Sequence, residues 1–82
     1  MRLRLTDTAK ASYYAAPREV QKAFDKQVRL LTEHLRHKSL RAKKYDEACD
    51  IWQARINRSW RFYFEIAGDT YVIHKLIPHP KK

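Results

Sequence analysis

The apolar residues of this chain change their period once along its length. Up to Leu35 they recur at three- and four-residue spacing, and from Ile51 onward they alternate with polar ones. A side chain returns to one face of a helix about every 3.6 residues and to one face of a strand about every second residue. The change therefore separates a helical first half from a strand-forming second half. Val20, Phe24, Val28, Leu31 and Leu35 form one apolar stripe, while Arg18, Lys22, Lys26, Arg29 and Arg36 lie largely off it. The stripe reads as core and those charges as a solvated helix face. Pro17 suits the first position of this helix, where its missing N–H has no intrahelical partner to lose. Upstream, Thr6 or Asp7 reads as the N-cap of a shorter helix reaching about Ala15, and Arg2 to Leu5 alternates as a short first strand.

In the second half, Trp52, Ala54 and Ile56 share one side of a strand, with Gln53, Arg55 and Asn57 on the other. Trp60, Phe62, Phe64 and Ile66 likewise oppose Arg61, Tyr63 and Glu65. Gly68-Asp69 supplies a turn, and Thr70 to Leu76 forms a last strand rich in β-branched residues. Ser39 to Asp50 is a polar, basic connection anchored by Leu40 and Tyr45. The expected order is β-α-α-β-β-β. This is an α+β fold, with two N-terminal helices packed on one face of a small, mostly antiparallel sheet, touching Trp60, Phe62, Phe64 and Ile66. Residues 1–82 are expected to form one domain, since 82 residues provide for a single thin core.

Charge narrows the partners. Eighteen Lys and Arg against nine Asp and Glu give a net charge of +9, which suits nucleic acid, an anionic membrane or an acidic protein. The aromatic residues are interleaved with arginines, and that favours nucleic acid: cations hold phosphates and rings stack on bases. The single cysteine, Cys49, excludes an internal disulfide and agrees with a reducing cytoplasm. It reads as a partly buried structural thiol rather than a nucleophile. His34 and His37 read as cations favoured near a helix C-terminus rather than as metal ligands, because no cysteine or carboxylate cluster completes a site. The apolar runs are too short for a signal peptide or a membrane span, so a soluble, cytoplasmic protein without a membrane partner is expected.

Strand parity carries the chemistry. If Phe62 and Phe64 face the helices, Arg61 faces away, and the same alternation puts Gln53 and Arg55 on that open face. A turn centred on Gly68-Asp69 pairs Tyr63 with His74, and His79 follows just beyond the strand. RNA cleavage without a metal needs a base for the 2′-hydroxyl, a cation for the charge growing on phosphorus, and an acid for the leaving 5′-oxygen. Arginine grips phosphate oxygens in pairs, and histidine, with an ordinary pKa of about 6.5, transfers protons near neutrality. The nine acidic residues are scattered and suggest no two-metal cluster. The spacing permits this chemistry without establishing it.

The segments Leu40-Arg41-Ala42-Lys43-Lys44-Tyr45 and Ile51-Trp52-Gln53-Ala54-Arg55-Ile56-Asn57-Arg58-Ser59-Trp60-Arg61-Phe62-Tyr63-Phe64 resemble the RelE/ParE toxin superfamily, with its W-x-x-R-[IV] and [YW]-R-[FVL] strands. Gly68-Asp69 and the closing Ile77-Pro78-His79-Pro80 fit the same order, and Ser39 to Pro80 is covered closely. The resemblance implies a type II toxin: an endoribonuclease (mRNA interferase) acting on mRNA, whether free or bound to the ribosome, and neutralised by a cognate antitoxin with an acidic segment. No cofactor is implied. Arg61 falls on the family's phosphate-binding arginine, Arg55 on a basic position of the preceding strand, and His79 on the C-terminal histidine that acts as acid or base. These three are the candidate catalytic residues. Lys43, Lys44, Gln53, Tyr63 and His74 are the candidate RNA-binding residues. The chain departs from relatives that end in a tyrosine, having Pro80 there, and no acidic residue among Asp46, Glu47 and Asp50 can be assigned a family role. Two other functions stand beside the ribonuclease: a ParE-like inhibitor of DNA gyrase without nuclease activity, and an inactive relative that only binds antitoxin.

Overall fold

The computed structural model describes residues 2–79. The tail expected from Ile77 to Lys82 is described only as far as His79, and its first two residues extend the last strand, which reaches Pro78; Pro80 lies outside the described residues. Strand β1 (Arg2–Leu5) leads into helix α1 (Asp7–Ala15) and helix α2 (Arg18–Glu33), followed by strands β2 (Lys43–Asp46), β3 (Ile51–Arg55), β4 (Trp60–Ala67) and β5 (Thr70–Pro78). They form one five-stranded sheet in the order β1-β5-β4-β3-β2, antiparallel except where β1 runs parallel to β5.

The α+β class is as expected, and the structure adds a strand. β2 has no apolar alternation because it is an edge strand with mostly solvated side chains, paired only with β3. Thr6 caps α1: its hydroxyl accepts the Ala9 N–H at 3.1 Å. Pro17 stands one residue earlier than expected, as the N-cap of α2. α2 ends at Glu33, so His34 is its C-cap and His37 lies in the following loop, where its Nδ1 accepts the Ser39 N–H. Cys49 is exposed in the β2–β3 turn, not partly buried as expected.

The core lies between the helices and one sheet face. Ala9, Val20, Phe24 and Leu31 meet Ala54, Phe62, Phe64, Tyr71, Ile73 and Leu76, with Trp52 and Trp60 packed at the margin. The Phe24 ring stands edge-on to Phe62 at 5.3 Å, a favoured aromatic geometry. Ile66, expected under the helices, is 39% exposed because β4 runs on past the helical layer.

Two departures from regularity position the open face. Tyr63 pairs with Lys75 and Phe64 with Ile73, leaving His74 as the extra residue of a β-bulge. This replaces the expected Tyr63–His74 pair. β1 stops pairing at Ile73, and α1 takes over that edge of β5. The Thr6 hydroxyl donates to the His74 carbonyl (3.1 Å), and the Leu76 N–H donates to the Ser12 hydroxyl (3.0 Å). The second departure is Gln27, buried on the apolar side of α2. Its side-chain amide donates to the carbonyls of Ser39 (3.1 Å) and Arg55 (2.7 Å). The Arg55 N–H donates in turn to the Leu40 carbonyl (2.7 Å). Both backbone groups of Arg55 are thereby fixed where β3 ends.

Candidate functional site

The open face of β3 and β4 is laid out by direct opposition. Gln53 lies opposite Tyr63 and Arg55 opposite Arg61. Lys43 of β2 pairs with Gln53 and joins the same face. A cavity of about 210 Å³ is lined by Arg41, Lys43, Gln53, Arg55, Arg61 and His79. His79 is held at its rim by the turn between β3 and β4, its N–H donating to the Ser59 carbonyl at 2.6 Å. The sequence-derived candidates Arg55, Arg61, His79, Lys43 and Gln53 thus converge on one cavity.

The two guanidinium groups share an anchor. Arg55 Nε donates to the Asn57 carbonyl at 3.3 Å, and an Arg61 terminal nitrogen donates to the same oxygen at 2.8 Å and to the Trp60 carbonyl at 3.0 Å. Asn57 holds the turn itself, since its Oδ1 accepts the N–H groups of Ser59 (2.8 Å) and Trp60 (2.9 Å). Among the described residues, no carboxylate lies within salt-bridge range of Arg41, Lys43, Arg55 or Arg61. Desolvation, and then the nearby charges of Arg55 and Arg41, hold the Arg61 pKa below the ordinary arginine value. The group stays protonated at any physiological pH. An arginine short of solvent and crowded by like charges is stabilised by an incoming anion, and its remaining donors suit phosphate oxygens.

The other candidates lie apart from this cavity. Lys44 sits opposite Trp52, on the helix side of the sheet, with its ammonium 5.5 Å from that ring's centre and paired with Asp50. It does not share a face with the arginines, because adjacent residues of a strand point to opposite sides. Tyr63 is buried at the centre of the open face, beneath Tyr45 (ring centres 4.8 Å apart) and Lys75 (5.6 Å). Its hydroxyl donates to Gln53 Oε1 at 3.2 Å. Burial first, and Tyr45 second, raise its pKa, so it keeps its proton and is no base at neutral pH. His74 bonds to Glu65 at 3.2 Å and lines a neighbouring depression of about 240 Å³ with Tyr45, Tyr63 and Lys75. Among the described residues, no group of three His, Cys, Asp or Glu side chains is arranged to hold a metal.

Two residues of the site escaped sequence reasoning. Arg41 lines the cavity from a left-handed backbone conformation (φ 47°), and no local pattern announces that geometry. Gln27 supports the site from below, and its signal was present: Val20, Phe24, Gln27 and Leu31 keep the four-three-four spacing of one helix face.

No helix among the described residues is long and apolar enough to cross a membrane. No family model matches the chain, and neither does any curated protein. Solved structures do match over nearly the whole length. A YoeB/ParE toxin from Agrobacterium tumefaciens superposes with a TM-score of 0.81 at 14% identity, covering 98% of this chain and 100% of that one. The archaeal RelE–RelB complex from Pyrococcus horikoshii OT3 gives 0.80 at 16% identity, covering 99% and 97%. The toxin–antitoxin complex RelBE2 from Mycobacterium tuberculosis gives 0.74 at 23% identity, covering 95% and 96%. The TM-scores and the near-complete mutual coverage have one reading: this chain has the fold of these RelE and YoeB/ParE toxins.

Proposed function

We propose that this protein is the toxin of a type II toxin–antitoxin system, acting as a metal-independent endoribonuclease that cuts mRNA and so inhibits translation. The observation that carries this reading is the convergence of Arg55, Arg61 and His79 on one cavity, with two guanidinium groups on a shared carbonyl and, among the described residues, no carboxylate within salt-bridge range of them. In this mechanism the paired arginines hold the scissile phosphate and stabilise the charge that grows on it. The 2′-oxygen attacks phosphorus and gives up its proton, the bond from phosphorus to the 5′-oxygen breaks, and that oxygen takes a proton. The products are a 2′,3′-cyclic phosphate and a free 5′-hydroxyl. His79 is the proton-transfer group, because it alone of the candidate imidazoles lines the cavity with the arginines; His74 is engaged with Glu65. Gln53 and Lys43 position the strand.

The test is inducible expression with mapping of mRNA ends. Wild-type protein should arrest growth and leave 2′,3′-cyclic phosphate ends, and Arg61→Ala and His79→Ala should each relieve both. Arrest that survives both substitutions, or a DNA-damage response with mRNA intact, overturns the reading. We also propose an antitoxin whose acidic segment covers the open face, in line with the RelE–RelB and RelBE2 complexes that share the fold. Its affinity should fall as salt rises.

A further inference from the structure

Beyond the cavity of Arg55 and Arg61 lies a larger one, of about 540 Å³, between the C-terminal half of α2, the loop after it and the end of β3. Lys26, Lys38, Arg41 and Arg55 line it. Arg41 and Arg55 line both cavities, so the two adjoin and present one run of basic side chains past the end of β3. Gln27 lies in the wall of the larger cavity and ties α2 to the carbonyls of Ser39 and Arg55. Among the described residues, no carboxylate lies within salt-bridge range of Lys26, Lys38 or Arg41. Arg41 sits where the cavities meet and keeps a left-handed backbone there (φ 47°), a conformation uncommon for a side chain of this size.

Lys26 lies on the helix face whose charges otherwise read as a solvated surface. Its place in this groove sets it apart from Arg18, Lys22 and Arg29, which do not line it. We infer that the groove of Lys26, Lys38 and Arg41 is a second phosphate subsite, taking the single-stranded RNA that flanks the phosphate gripped by Arg55 and Arg61. This rests on the reading of those two arginines as the phosphate site. The substrate is then a strand long enough to pass the end of β3 rather than a minimal dinucleotide.

The test measures binding of fluorescein-labelled, 2′-O-methylated single-stranded RNA across a salt series, with a strand spanning both cavities and a dinucleotide compared. Methylation blocks cleavage, so binding is read alone. For the long strand, Lys26→Gln with Lys38→Gln should lower the slope of log affinity against log salt by about 1.4, at about 0.7 for each phosphate no longer neutralised. Dinucleotide affinity should not change. Both lysines are exposed, and the Lys26→Arg, Lys38→Arg protein should keep the original slope. An unchanged slope in the double Gln variant overturns the inference, as does an equal loss for the dinucleotide. A variant that keeps RNA but loses a polyglutamate peptide also overturns it, assigning the groove to an acidic protein. Failure of the ribonuclease reading is a separate result: wild-type protein that binds the methylated strand with the expected slope while its expression leaves cellular mRNA uncut.

Discussion

On the helix side of β3 and β4, Trp52, Ala54, Phe62 and Phe64 are packed into or against the core; one residue away, on the other side, stand Gln53, Arg55, Arg61 and Tyr63. The same two strands hold the fold together with every second residue and present the proposed chemistry with the rest. Neighbours in sequence therefore serve different ends. A change on the covered face removes packing, and a change at Arg55 or Arg61 on the open face removes charge and hydrogen bonds while the fold survives. The sharpest contrast is Arg61 beside Phe62.

The largest effect expected is that of Phe62→Ala. Phe62 is fully buried and packs on both Phe24 and Phe64, so denaturant unfolding should register a loss of about 3–5 kcal/mol. Arg61→Ala should leave the unfolding midpoint nearly in place and reduce cleavage by about 10²–10³-fold, the scale seen when one preorganised donor is removed. If Arg61→Ala unfolds the protein as readily as Phe62→Ala, the division between the faces is broken. Gln27→Ala tests the link between them. It strips the Ser39 and Arg55 carbonyls of a buried donor, which should cost about 1–3 kcal/mol and also weaken RNA binding through Arg55. A drop in stability without any effect on binding would show that Gln27 serves the core alone. Thr6→Ala should cost about 1 kcal/mol by removing the helix cap, with cleavage unchanged.

A smaller effect concerns alkaline pH. Burial raises the pKa values of Tyr63 and Tyr71 above their ordinary 10.0. A folded-state pKa above the unfolded one means that these groups contribute stability below about pH 10, and that it is lost as pH climbs through the raised values. Ultraviolet titration should find late-ionising tyrosines and a falling unfolding midpoint in that window. Tyr63→Phe should remove part of the late absorbance change, and an unaltered titration curve would count against burial at the centre of the open face.

The parts legible in the sequence were those written in alternation. Phe62 and Phe64 set the parity of β4, and parity alone placed Arg61 and Arg55 on the open face, because a strand has no other way to distribute adjacent side chains. The bulge at His74 was not legible. An extra residue leaves no mark in a run of β-branched and aromatic residues, and what accommodates it, the hydroxyls of Thr6 and Ser12, lies more than sixty positions away. β2 was missed because Lys43-Lys44-Tyr45-Asp46 has no apolar face to advertise. Lys44 was grouped with Lys43 as one basic pair, yet period-two geometry sends the two side chains to opposite sides. Arg41 depended on a backbone conformation that composition does not encode.

The carbonyl oxygen of Asn57 receives donors from Arg55 at 3.3 Å and Arg61 at 2.8 Å. The reversal at positions 57–59 is thus a gauge as well as a bend, setting how far apart the two positive heads are held. Lengthening the chain at Gly68-Asp69 would change an exposed tip and its contact with the start of β1, where the Asp69 carbonyl accepts the Arg2 N–H, and would leave the arginines alone. One more residue between Asn57 and Trp60 would spread the jaws of the grip and leave a sound scaffold that no longer closes on its cargo. Tolerance of insertions should differ sharply between these two hairpins, however similar they look in outline.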